Sequence, residues 1–112
     1  MSSFNLGRLV DGLENVVEEC AEQALQDISE DLREYVPYKT GSLDSSMVVD
    51  KDSKSIYWTA EHAEYVYTMP KENNFNRKVH TKATSYWVEE AEKDMEDKWL
   101  ERISANVRRR LG

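Results

Sequence analysis

The sequence is short of nearly everything that catalysis and membrane insertion require. It has one cysteine, Cys20, so no internal disulfide is possible, and only two histidines, His62 and His80, neither in an H-x-x-x-H or C-x-x-C spacing. Four glycines leave no phosphate-cradling loop, nucleophile elbow or dinucleotide fingerprint. No apolar run approaches the roughly 20 residues that cross a bilayer. Nothing at the start reads as a secretory signal, and the expectation is a protein made and kept in a reducing cytoplasm. Basic excess is missing too. The net charge is -7, which argues against a surface shaped to neutralise many phosphates.

What is present is a 112-residue chain with 39% hydrophobic and 33% charged residues, enough to fold one domain on a modest apolar supply. Its charge is uneven. Residues 1–36 hold two arginines against nine acids, while the remainder holds 13 basic and 13 acidic residues.

From Phe4 to Val36 the apolar residues Leu6, Leu9, Val10, Leu13, Val16, Val17, Cys20, Ala21, Ala24, Ile28, Leu32 and Tyr35 recur at spacings of three and four. The pattern predicts one long amphipathic helix over 1–36. Its stripe is wide enough to bury two surfaces, with Asp11, Glu14, Glu18, Glu22, Gln26 and Glu30 in water. Pro37 ends it. In 37–82, Thr40-Gly41-Ser42 should turn the chain and cap a short helical turn at 43–46. Met47-Val48-Val49 and Ser55-Ile56-Tyr57-Trp58-Thr59 predict a hairpin, with Ile56 and Trp58 on one face. Ala63 to Tyr67 fits either a strand or a helical turn. Residues 69–77 read as a loop, and Lys78 to Thr81 as a last strand.

A second helix is predicted from Thr84 to about Arg110, within a third segment 83–112. Trp87, Ala91, Met95, Trp99, Ile103, Val107 and Leu111 follow one another at steps of four. Such a row drifts by about 40° per step around a helix, so one flat partner cannot cover it. The expectation is that Trp87 to Met95 packs on the chain's own sheet and that Trp99 to Leu111 faces a neighbouring subunit. The fold class is therefore α+β: long N-terminal and C-terminal helices packed on a small antiparallel sheet. Leu9, Val16, Trp99, Ile103, Val107 and Leu111 are the candidate subunit interface.

Each chemical alternative has a plainer account. Cys20 lies on the apolar stripe without an evident base, the acids of 89–97 fit a solvated helix face, and no residues call for a metal, a cofactor or a small-molecule ligand. Arg108-Arg109-Arg110 could touch DNA, but cations at a helix C-terminus already complement its dipole. Two function classes follow: a structural protein that assembles with itself, and an acidic helical adaptor or inhibitor that binds a protein partner through 1–36.

Specific motifs favour the first. Tyr35-Val36-Pro37, Thr40-Gly41-Ser42-Leu43 with Ser46, then Trp58, Ala63, Tyr65 and Tyr67, then Tyr86-Trp87-Val88-Glu89-Glu90-Ala91 and Trp99 occur in that order. In this the sequence resembles the minor capsid and tail-completion proteins of long-tailed bacteriophages, small neck components between the portal region and the tail tube. The motif residues that carry the resemblance are Pro37, Thr40, Gly41, Leu43, Trp58, Ala63, Tyr65, Tyr67, Trp87 and Ala91. It implies an α+β fold, a homo-oligomeric ring in the virion, and portal-side and tail proteins as partners. The sequence departs from the family pattern at 68–82, where Lys71 to Asn76 replaces a glycine-containing stretch.

Overall fold

A computed structural model describes residues 3–11, 17–38, 41–70, 75 and 77–111. The elements run β1 (Ser3–Asn5), α1 (Leu6–Val10), α2 (Glu18–Arg33), α3 (Ser42–Ser45), β2 (Met47–Asp50), β3 (Ser55–Trp58), α4 (Ala63–Tyr67) and α5 (Trp87–Leu111). The fold is α+β, with a three-stranded antiparallel sheet in the order β1-β3-β2 and a long C-terminal helix.

The single helix expected over 1–36 is instead broken. Phe4 belongs to β1, opposite Ile56 of β3, where its buried ring meets Trp99 edge-on at 5.6 Å. The Asn5 side chain then caps α1 by accepting the Arg8 amide at 3.3 Å. Asp11 is extended, Leu13, Glu14 and Val16 lie outside the described residues, and α2 starts only at Glu18. Glu18 and Glu19 in its first turn complement the helix dipole. α2 also stops at Arg33, earlier than Pro37 requires, and Tyr35 and Val36 close the end by donating their amides to Leu32 and Arg33.

Gly41 starts α3 at φ +87°, a backbone conformation that favours glycine, and a Cβ there would also press on the Tyr38 hydroxyl at 2.9 Å. No side chain caps α3, contrary to the role expected of the neighbouring hydroxyls. The hairpin forms as predicted, and Asp50 Oδ1 accepts the amides of Asp52 and Ser53 in the turn. Ile56 and Trp58 are the buried face of β3.

Ala63–Tyr67 is helical. Residues 78–81 are not a strand: the third strand comes from the N-terminus, and this segment lies on the end of α2. His80 Nδ1–H donates to the Val36 carbonyl at 2.7 Å, Lys82 donates to Glu34 and Thr84 to Tyr35. α5 begins at Trp87, after Tyr86 with φ +52°.

The buried side chains form one cluster. At the sheet end Trp87 meets Trp58 and Tyr67 edge-on, with centroids 5.5 and 4.7 Å apart, as expected for the first half of this helix. The second half differs from expectation. α2 runs antiparallel to it, because Asp31 meets Trp99 and Arg102 while Glu19 meets Arg110. Trp99, Ile103 and Val107 are therefore buried within the protomer. The drifting row moves off the sheet and onto α2, a partner the periodicity of one helix cannot specify.

Candidate functional site

Most of the motif residues are structural. Leu43, Trp58, Ala63, Tyr67, Trp87 and Ala91 are buried, Gly41 sets the α3 turn, Pro37 is half-buried, and Thr40 lies outside the described residues. Tyr65 differs: on α4 it is 71% exposed, while Ala63 and Tyr67 on the same helix turn inward. Of the candidate interface residues, Leu9 is half-buried, Val16 is outside the described residues and Leu111 is 67% exposed. Trp99, Ile103 and Val107 offer almost no surface, which corrects their expected place on a neighbour.

Charge on α5 is uneven. Glu89, Glu90, Glu92, Asp94, Glu96 and Asp97 precede Trp99 with Lys93 and Lys98 among them, whereas Arg102, Arg108, Arg109 and Arg110 follow it with Glu101. Not all of these acids are merely solvated. The Tyr67 hydroxyl donates to Glu89 at 3.1 Å, Tyr35 donates to Asp94 at 2.8 Å, and Arg8 holds Glu92 through both carboxylate oxygens. Burial pushes the Glu92 carboxyl above its usual range, against the opposing pull of Arg8. Burial and the neighbouring carboxylates likewise raise the Tyr35 and Tyr67 hydroxyls, which therefore stay protonated as donors. These are anchors of the fold, and the long-range pairs that make them leave no trace in local spacing.

A second polar corner ties α2 to α3. Arg33 forks onto both oxygens of Asp44, which holds the guanidinium charged, and His80 Nε2 lies 3.7 Å from the same carboxylate. No group of three His, Cys, Asp or Glu that could hold a metal occurs among the described residues. No helix there is long and apolar enough to cross a membrane.

A groove of about 480 Å³ lies between α2 and α5. Cys20, Ala24 and Ile103 form its floor, Arg102, Arg109 and Arg110 stand along the α5 side, and Gln23 and Asp27 stand along the α2 side. Arg102 is shared with Asp31 and Arg110 with Glu19, while Arg109 and Arg108 are exposed.

A wide apolar seam, a polar-rimmed groove and exposed apolar side chains at both ends of an elongated body suit a protein that packs against others. The model of a family described as minor capsid protein matches residues 14–106, most of the chain. The chain belongs to the minor capsid protein family. No curated protein and no solved structure matches it. As a minor capsid protein it has a structural role in the phage virion. The matched span takes in α2 through most of α5. It leaves out β1 and α1, which complete the sheet and seat Arg8 on Glu92, and the arginine triplet at the end of α5.

Proposed function

We propose that this minor capsid protein forms a homo-oligomeric ring in the head–tail neck, joining or completing the connection between portal-side and tail proteins without catalysing a reaction. It is assembled into the virion from the host cytoplasm. The observation that carries this is the distribution of exposed large apolar side chains. Val17 (51% exposed) and Leu111 stand where α2 begins and α5 ends, while Tyr65 and Val79 (54% exposed) stand towards the other end of the two helices. Two unlike patches on opposite ends favour head-to-tail contact, which closes into a ring when the rotation between copies permits.

The acidic adaptor gains nothing comparable. Within the chain Glu18, Glu19, Asp31 and Glu34 already meet Lys54, Arg110, Arg102 and Thr81, so much of the acidic surface of α2 has internal partners.

Native mass spectrometry of the chain with its neck partners, together with immunodetection in purified virions, tests the proposal. A ring-sized species and presence in the particle are expected. A chain that stays monomeric with every partner and is absent from virions overturns it.

A further inference from the structure

Residues 77–82 hold no helix or strand, yet they close the corner where α2 ends and α3 begins. Every side chain in that stretch is exposed except His80, which is 5% exposed. We infer that His80 is a proton-operated latch: protonated at Nε2 it pairs with Asp44 and tightens 77–84 on the ends of α2 and α3, and on deprotonation that corner slackens.

The two ring nitrogens have different tasks. The Val36 carbonyl can only accept, so Nδ1 carries the hydrogen of their 2.7 Å bond in both charge states. The proton that comes and goes is therefore the one on Nε2. In the neutral ring Nε2 is an acceptor 3.7 Å from a second acceptor, Asp44 Oδ1, and no hydrogen bond joins them. Protonated, it becomes a charged donor beside a carboxylate only 10% exposed, where little water weakens the attraction. Arg33 takes one site on each Asp44 oxygen, and a carboxylate offers about four, so His80 need not displace it.

Burial of a cation and the like charge of Arg33 oppose protonation. Arg33 is 52% exposed, so water screens much of its charge. The cations of the segment itself are turned to other tasks: Lys82 Nζ lies over the Tyr35 ring at 5.3 Å, Arg77 Nε donates to the Ala83 carbonyl, and Lys78 is exposed. The Glu34 carboxylate accepts from Thr81, and the Tyr38 ring meets the imidazole edge-on at 5.1 Å. Asp44 decides the balance, as an opposite charge at short range in a place water hardly reaches. What the latch controls is close by. The amides of Thr81, Lys82 and Thr84 donate to Glu34 Oε2, the Glu34 carbonyl and the Tyr35 carbonyl. Val79, 54% exposed, is the residue before His80, so the latch also steadies one of the apolar side chains offered to a neighbour in the ring proposed above. The latch itself stands whether or not that ring forms.

Amide hydrogen exchange of the full chain at Thr81, Lys82 and Thr84 reads it directly. A proton held more tightly by the folded than by the unfolded chain adds stability as pH falls. From about pH 8 to about pH 5.5, across the ordinary histidine value near 6.5, protection of these amides, corrected for intrinsic exchange, should rise about fivefold. That is less than a charge-assisted hydrogen bond alone supplies, because burial of the cation opposes it. His80→Asn keeps an amide N–H for the Val36 carbonyl but takes up no proton, and its protection should stay level over the same range. The exposed His62 remains in both chains and cancels from the comparison. Asp44→Asn keeps an oxygen for Arg33 but loses the anion; its protection should stay level too, and it carries the test if His80→Asn does not fold. Protection that is unchanged or falls on acidification of the parent, or that still rises in either variant, overturns the latch.

Discussion

The sheet end of the molecule and the end where α2 and α5 face each other across the groove both bury tryptophan, yet they finish differently. At the sheet end Trp58, Tyr67, Tyr86 and Trp87 interlock edge-to-face and fill the space between β3, α4 and α5. At the two-helix end one tryptophan, Trp99, is followed towards the tip by Cys20, Ala21 and Ala24 of α2, and the groove remains. Large rings commit a surface to the protomer; small residues leave room for something else. The well-filled end is closed by large rings, and the sparsely filled end keeps an open groove.

The largest break in that comparison is Trp87→Ala. Its ring is fully buried against two other aromatics, and a cost near the top of the range of about 3–5 kcal/mol is expected for a buried aromatic truncated to alanine. Against a domain stability of about 5–15 kcal/mol, this should leave the chain close to unfolded in a denaturant titration. Trp99→Ala should cost less, about 3 kcal/mol, because its surroundings are more open on the groove side. Losing it would still loosen Phe4 and release Asp31, so hydrogen exchange should rise in β1 and in α2 around Asp31. A Trp99→Ala chain that melts like the parent would return that residue to the surface. Asp31→Ala comes next, at about 1–2 kcal/mol, since it leaves the indole N–H of Trp99 and the Arg102 guanidinium without their shared acceptor.

The fate of Trp99 shows where sequence runs out. Steps of four from Trp87 to Leu111 correctly mark α5, and alternation around Ile56 and Trp58 correctly marks the hairpin, because both patterns are local. What covers the second half of α5 depends on where α2 lies, which no single-helix period encodes. β1 was hidden for a similar reason. Phe4 and Leu6 fit a helical stripe, and Ser3–Asn5 becomes a strand only by pairing with β3, more than 50 residues away. Residues 78–81 have strand-like composition, yet the partner available to them is the end of α2. Among the motif residues, sequence order marked Tyr65 but not its outward direction. That follows from Ala63 and Tyr67 claiming the inward side of one helical turn.

A smaller change tests the tight join at the sheet end. Lys54 closes the β2–β3 turn at φ +54°, a conformation glycine adopts freely, and its carbonyl accepts the Leu6 amide at the start of α1. Lys54→Gly should raise the melting temperature. The gain is set by relief of backbone strain, less the greater chain entropy of glycine when unfolded and the loss of an exposed pairing with Glu18.

The smallest effect lies between the two regions, at Glu92, where α1 meets the middle of α5. Burial raises this carboxyl, and its pairing with the largely exposed Arg8 only partly opposes the shift. A raised acid contributes most to stability below its unfolded value of about 4.3, and that contribution is lost as pH climbs through the folded value. Glu92→Gln never acquires the charge. It should therefore melt slightly above the parent at neutral pH, with the advantage vanishing as pH falls through the carboxylate range. A lower melting temperature at neutral pH would mean instead that the Arg8 pair outweighs burial, and that α1 is held to α5 by charge rather than by Leu6 and the strand before it.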